Sequence, residues 1–336
     1  MDRRAEILQH IGIGKRGIEV APWHSPIVPV GGDREVIALD VFDRPTLLAS
    51  AEVDPGIDRA AIANIGEVDL VGSACDIAEL AIARFGPDVQ FDFVVSSHNF
   101  EHLPDPVRFL RGCEALLAPG GIVAMAIPDK RACFDFFRPQ SGLAEILQAY
   151  HERRERPTYA QTFSQTAYHA GLRTENAVTG AFSINEDVNR ITLLGDLVQA
   201  HATWHDRVAA GDTQYYDTHC WTFTPSSLRL ILTELVLLGL IDFEILAVSE
   251  PQGCEFFVHL RKRPAGLPPQ QGVAEQRERL LKQIVDELRH PTGRIARQPG
   301  TVTRHEGAAW LVNDTEPTIL RVMRGVRRRI CRNLGI

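Results

Sequence analysis

The side chains able to move protons gather in two short stretches. "SSHNFEHLPD" (96–105) holds Ser96, Ser97, His98, Glu101 and His102, and "QYYDTHCWTF" (214–223) sets Asp217 and His219 among Tyr215, Tyr216 and Trp221. A histidine or carboxylate within hydrogen-bond reach of a hydroxyl can act as its general base. His98, Asp217 and His219 are therefore the candidate catalytic residues, with the aromatic rings of 215–221 walling an acceptor. Each has a plainer reading: His98 simply hydrogen-bonded, Glu101 and His102 ordering their loop, and 214–223 a structural strand-like edge. "HATWH" spaces His201 and His205 by one helical turn, an interval that metals use, but it lacks the glutamate of an H-E-x-x-H pattern. No metal is assigned. In "IPDKRACFDFF" (127–137), Asp129, Lys130 and Arg131 either order a lid, bind an anionic acceptor, or form ion-paired scaffolding.

The elements that must position these groups follow from hydrophobic spacing. Strand-like runs at "GIEV" (17–20), "EVIALD" (35–40), "VDLVG" (68–72), "FDFVVSS" (91–97) and "GIVAMAIP" (121–128) alternate with helical stretches. Apolar residues at 107, 109, 110, 113, 116 and 117 mark an amphipathic helix that Pro119-Gly120-Gly121 ends. Strands separated by helices of this length pair in parallel, because a parallel crossover needs a dozen or more residues. Thr224-Pro225 reads as an N-cap with proline at the first helical position. "DFEILAV" and "CEFFVHLRK", joined by "SEPQG", read as an antiparallel pair. Ser96, Ser97 and His98 thus fall at the C-terminal end of the fourth strand, where open α/β sheets bind ligands.

Composition narrows the classes. The chain has 336 residues, 44% hydrophobic and 24% charged, with a net charge of −7. A large folded core is expected, and nucleic acid is not the expected partner, since phosphate binding needs a basic surface. The exception is local: residues 321–332 hold six arginines and no acid. With the apolar residues from Ile319 to Leu334 between them, they suggest a basic amphipathic helix, peripheral on an anionic membrane face, or else solvated or facing an acidic partner. No apolar run approaches the roughly 20 residues of a membrane span. Six cysteines without a C-x-x-C pair suit reduced thiols and a cytoplasmic location, possible contact with the inner membrane face aside.

The order of five parallel strands, a helix and a terminal antiparallel hairpin, together with "S-S-H-N-F-E-H-L-P-D" and "L-A-P-G-G", resembles class I S-adenosylmethionine-dependent methyltransferases. The resemblance covers 17–137 and 221–263. It implies an α/β fold: a Rossmann-like seven-stranded sheet with an antiparallel last strand, here with a helical insertion and a helical C-terminal extension. It implies S-adenosylmethionine as cofactor, Asp40 (with Asp43 as competitor) accepting its ribose hydroxyls, Asp76 its adenine amine, and Ile77 packing on the adenine ring. Asp76 also reads as a helix N-cap, and Asp40 as a solvated turn acid. Glu19 would shape the first loop or reach the cofactor through water, and Ser96 and Ser97 would line the site.

The first loop departs from the pattern. The family commonly shows E/D-x-G-x-G-x-G, but "EVAPWHSP" has Ala21 and Pro22 and no glycine until Gly31. Pro22 offers no amide donor. Ala21 is the smallest replacement for the first glycine, suitable with a negative φ. A subset of bacterial methyltransferases carries a similar E-x-G-P-x-x-x-P-I lip.

The expected organisation is a lead-in (1–16), a cofactor-binding core (17–138), a helical insertion without clear strands standing as a lid (139–220), the end of the core (221–263), and a linker with a basic helical extension (264–336). The expected activity is O-methylation of a small molecule or of a sugar or surface-glycan intermediate. The alternatives are a non-catalytic binding module of the same fold and, with the absent G-x-G-x-x-G against it, a nicotinamide-dependent oxidoreductase.

Overall fold

Side chains of alternating direction build a sheet buried on both faces. The computed structural model describes residues 2–29, 31–175, 177–264 and 273–289. Helix α1 (Arg3–Leu8) precedes β1 (Arg16–Val20), β2 (Glu35–Asp40), α2 (Arg44–Val53), α3 (Arg59–Ile62) and β3 (Leu70–Val71). Then come α4 (Ile77–Phe85), β4 (Phe91–Ser97), α5 (Pro106–Leu116) and β5 (Leu117–Pro128). In β5, Val123, Met125 and Ile127 join one core, while Ile122, Ala124 and Ala126 join the core on the opposite face. Such period-two runs without polar interruption are what a sheet covered on both sides requires.

The insertion holds α6 (Leu143–Glu152), α7 (Tyr159–Ala167), β6 (Ala170–Arg173), β7 (Val178–Thr179), β8 (Ile191–Leu193) and α8 (Leu197–Ala209). The chain then returns through α9 (Pro225–Leu237), β9 (Phe243–Val248), β10 (Glu255–Lys262) and α10 (Val273–Arg289). The seven-stranded sheet has the order β3-β2-β1-β4-β5-β10-β9. β1 to β5 pair in parallel, and β10 lies antiparallel between β5 and β9. The strand order reverses at β1 and β4, so the crevice beyond their C-terminal ends is the natural ligand position. Gly17 is required at this contact: a Cβ there would lie 2.4 Å from the Phe93 carbonyl oxygen.

Two expectations are corrected. The segment 139–220 is not strandless, since β6, β7 and β8 form a separate antiparallel sheet. Strands of two to four residues are too short for a period-two pattern to show. Nor does a helix follow every parallel strand: among the described residues of 21–34 there is none. Pro22, Pro26 and Pro29 each lack an amide donor and break helical continuation. Ile27 and Val28 instead fill the sheet face directly, alongside Ile7, Leu8 and Ile11 from the lead-in.

The α9 start has the expected Thr224 cap and Pro225. Glu287 of α10 accepts hydrogen bonds from Thr224 Oγ1 and Ser226 Oγ, and Arg277 pairs with Glu234, so α10 docks on α9. Cys75, Cys113, Cys133, Cys220 and Cys254 are free thiols. Among the described residues no helix is long and apolar enough to cross a membrane. Residues 265–272 of the linker and the basic stretch 319–336, the candidate membrane-contact helix, lie outside the described residues.

Candidate active site

The C-terminal ends of β1 and β2 carry the first two candidate acids. Glu19 is buried and accepts the backbone amides of Ile27 at 2.6 Å and Val28 at 2.9 Å. It therefore shapes the first loop, one of the two roles considered for it. Burial raises its carboxyl to about 7 against the pull of the two amides. Ala21 does not take the negative φ expected of it. Its φ is 51° and that of Trp23 is 41°, so the loop turns twice through left-handed backbone where glycine would be unstrained. The Ala21 amide donates to Leu39 O at 2.7 Å, and the Pro22 carbonyl accepts from Ser25 N.

Asp40 and Asp43 separate cleanly. Asp43 is exposed and caps α2 by accepting Thr46 N. Asp40 is buried at the end of β2, with Oδ1 accepting Phe42 N at 3.1 Å, and burial lifts its carboxyl to about 6 against the Phe42 and Val41 amides. The turn-acid reading of a solvated side chain does not hold. Asp76 heads α4 but makes no capping hydrogen bond; Ser73 caps the preceding turn, and the Asp76 carboxylate stands 3.5 Å from Arg108 Nη2. Its oxygens are thus not consumed by the helix end. Ile77 is fully buried and packs on α5 at Gly112, where a Cβ would meet its Cγ2 at 2.6 Å. Its side chain belongs to the α4–α5 core, and a ring could meet it only after repacking.

Beyond β4, Ser96 is buried, and Ser97 Oγ accepts from Arg3 Nη2 at 2.7 Å. Arg3, in the lead-in, also forks onto Glu255, the first residue of β10. The same carboxylate takes His98 Nε2 at 2.8 Å. His98 itself has a φ of 49° and a side chain 39% exposed. Burial opposes ionisation of Glu255, but the hydrogen bonds from His98 and Arg3 bring it down to about 2.

The stretch 219–221 runs along the loop after β4. Trp221 N donates to Glu101 O, Trp221 Nε1 to Leu103 O at 2.6 Å, and Cys220 Sγ to His102 O. This pairing carries His219 to Glu101. Trp221 is accordingly buried, a strut rather than an acceptor wall. His219 Nδ1 bonds to Asp135 Oδ2, while Arg138 clamps Asp135 Oδ1 and the His219 carbonyl. Burial opposes it, yet His219 and Arg138 hold the Asp135 carboxyl well below its usual range. His102 Nδ1 lies 2.8 Å from Asp217 Oδ1, out of line for a hydrogen bond. Against burial, Asp217 and then Glu101 lift the His102 imidazole to about 9. Tyr216 is turned away, with its hydroxyl on Asp212 and Arg207 over its ring.

The three catalytic candidates therefore converge on one place. His98 and His219 flank Glu101, and Asp217 stands behind His102. His201 and His205 are exposed on α8 and take no part. Asp129 is engaged by Arg131, and Lys130 Nζ by the Phe136 carbonyl, so these residues are scaffolding. Sequence reasoning passed over Glu101 and His102 as loop-ordering residues, and over Asp135, Arg138 and Glu255 altogether. The E-H pair was visible in the fourth-strand loop; the contact with 219–221 had no signal in the sequence.

The model of a family described as a methyltransferase domain matches residues 17–235. The chain belongs to that family. As a methyltransferase it takes S-adenosylmethionine as cosubstrate, whose sulfonium supplies the methyl group. Among solved structures it is similar to a SAM-dependent methyltransferase from Aquifex aeolicus, at 12% identity over 77% of this chain and 89% of that one, with a TM-score of 0.35. It is also similar to one from Methanosarcina mazei (16%, 78% and 99%, TM-score 0.36) and to the CcbJ methyltransferase from Streptomyces caelestis (12%, 77% and 93%, TM-score 0.38). No curated protein matches the methyltransferase in sequence.

Proposed function

We propose that this methyltransferase methylates a hydroxyl of a small molecule or of a sugar or surface-glycan intermediate, with His98 as the general base. The observation that carries the reading is the His98–Glu255 pair at the C-terminal end of β4. A hydroxyl is a weak nucleophile at neutral pH and needs a base within hydrogen-bond reach, itself oriented by a third group. Glu255 supplies that orientation, and Arg3 in turn fixes Glu255. His98 is the better exposed of the two candidate histidines; His219 is buried and bound to Asp135. Asp217 serves His102 rather than acting as the base.

On the cosubstrate side, Asp40 is suited to accept the ribose hydroxyls, because it is a partly desolvated carboxylate with one oxygen already fixed by Phe42 N. Asp76, free of capping duty, is suited to the adenine amine. Glu19, Ala21 and Pro22 set the lip of this half, and Ser96 and Ser97 its floor. The sulfonium brings the methyl group, and the protein aligns the acceptor and takes its proton. Alignment supplies much of such a rate.

The test is transfer of a labelled methyl group from S-adenosylmethionine to a panel of hydroxylated sugars and small molecules, with calorimetric titration of S-adenosylmethionine and NAD alongside. His98→Ala is expected to lower kcat by about 10²–10⁴-fold while leaving cosubstrate affinity unchanged. An unchanged kcat in that variant removes His98 from the mechanism, and tight NAD binding in place of S-adenosylmethionine overturns the reading.

A further inference from the structure

We propose that Glu101, His102 and His219 form a binding site for a divalent first-row transition ion of the zinc class, beside the methyl-acceptor position. One donor atom from each of the three lies within 4.8 Å of the other two. Glu101 Oε1 stands 3.8 Å from His102 Nε2 and 3.7 Å from His219 Nε2. Those gaps are too wide for hydrogen bonds. They are close to the separation of roughly 3.4 Å between ligands that sit about 2.1 Å from a shared tetrahedral ion. The two Glu101–histidine gaps need to close by only a few tenths of an ångström, and the two imidazole nitrogens, within 4.8 Å of each other, by no more than about 1.4 Å.

The second observation is the state of the Glu101 carboxylate. It is completely buried, and neither oxygen has a hydrogen-bond partner. A buried carboxylate is normally paired, hydrogen-bonded or bound to a metal. Here the atoms facing it are imidazole nitrogens held just out of hydrogen-bonding range, as they are around a metal centre.

The surroundings of the histidines point the same way. His219 Nδ1 is bonded to Asp135, which Arg138 fixes from the other side. His102 Nδ1 faces Asp217 at 2.8 Å. A carboxylate behind one ring nitrogen orients the ring so that the other nitrogen faces the ion, which displaces the proton that the imidazole otherwise carries there, the usual outer arrangement of histidine ligands. His98 Nδ1 approaches the same Glu101 oxygen from 3.8 Å but is not part of the mutually close set, so it is left to the acceptor.

The donor types select the ion. Two imidazoles and one carboxylate suit zinc, iron(II), cobalt or nickel and disfavour magnesium and calcium, which take oxygen donors. Three protein ligands leave a coordination position open. Of the three, His102, 24% exposed, is the one that meets the surface. The role of the open position rests on the proposed function: it would take the acceptor oxygen and lower the pKa of its hydroxyl. Ion binding itself does not depend on that reading.

The full-length protein, stripped with a chelator, is titrated with Zn²⁺ by calorimetry and with Co²⁺ by visible absorption, without cosubstrate or acceptor. Stoichiometric binding is expected, with a Co²⁺ spectrum of a low-coordinate nitrogen and oxygen site. His102→Ala, His219→Ala and Glu101→Gln are each expected to weaken binding by more than about 100-fold, and Asp135→Asn by about 10–100-fold. His201→Ala/His205→Ala should bind as the parent does. Circular dichroism and S-adenosylmethionine affinity report whether each variant is folded. Should the site variants not fold, X-ray absorption of the Co²⁺-loaded parent decides, through the presence or absence of imidazole scattering from two histidines. Failure of the parent to bind either ion, a Co²⁺ shell without imidazole, or binding unchanged in folded site variants overturns the proposal and leaves a proton-bridged network in its place. Because no methyl transfer is measured, a failure here is distinct from a failure of the proposed reaction.

Discussion

The carboxylate of Glu19 accepts the backbone amides of Ile27 and Val28, reaching to the middle of the proline-rich loop that joins β1 to β2. One side chain at a strand end thus fixes a crossover that has no helix to brace it. Removing the carboxylate orphans two buried amides, each of which costs about 1–3 kcal/mol when unpaired. Glu19→Ala is expected to lose about 3 kcal/mol in denaturant unfolding. Glu19→Gln, which keeps one acceptor, should lose about half of that, and equal losses would show that the charge rather than the geometry matters.

Ala21 tests the loop from the other side. With a φ of 51° it occupies a left-handed conformation that costs an L-residue roughly 1–2 kcal/mol. Ala21→Gly relieves that strain, offset in part by the greater freedom of glycine in the unfolded chain. A net gain of up to about 1 kcal/mol, read as a higher Tm, is expected. Ala21→Val, β-branched at the same φ, should lower Tm.

Asp40 links cosubstrate affinity to pH. Its carboxyl titrates at about 6 in the free protein, and the ionised form is the better acceptor for two hydroxyls. Affinity measured by calorimetry should therefore fall as pH drops from 8 through 6 to 5, and Asp40→Asn should flatten this profile while weakening binding by about 10–100-fold.

Folding stability should respond to pH in the opposite sense. Asp40 and Glu19 both have folded-state values raised above those of the unfolded chain, to about 6 and about 7. The folded state then holds the protons more tightly, so their contribution is full below pH 4 and is lost as pH rises through 6 and 7. Each accounts for at most about 3 kcal/mol. Urea midpoints of the parent and of Glu19→Gln, compared between pH 5 and 8, measure it; a parent midpoint that rises with pH over this window in step with the variant's would contradict the assignment.

Glu287 makes a prediction far from the site. It accepts the hydroxyls of Thr224 and Ser226 at the start of α9, so Glu287→Ala should cost about 1–2 kcal/mol of stability without changing cosubstrate affinity. A change in affinity would show that α10 bears on the site as well as on α9.

The sequence by itself determined the sheet and the places where its strands end. Continuous apolar runs, helix-length connections and the Thr224-Pro225 cap are local signals, and local chemistry was enough to place Asp40, Asp76 and His98 at or just after the strand ends. It also determined that residues 214–223 held groups able to move protons. Only the tertiary structure decided what those groups do. Whether His219 reaches Glu101 depends on backbone pairing between 219–221 and 101–103, and whether His98 is held depends on Glu255, which is brought alongside by the antiparallel insertion of β10. Neither contact leaves a periodicity in the chain. The sign of φ at Ala21 was hidden for a related reason: it goes with the Ala21 N–Leu39 O bond to β2 and the Glu19 bonds to Ile27 and Val28, contacts that form only in three dimensions.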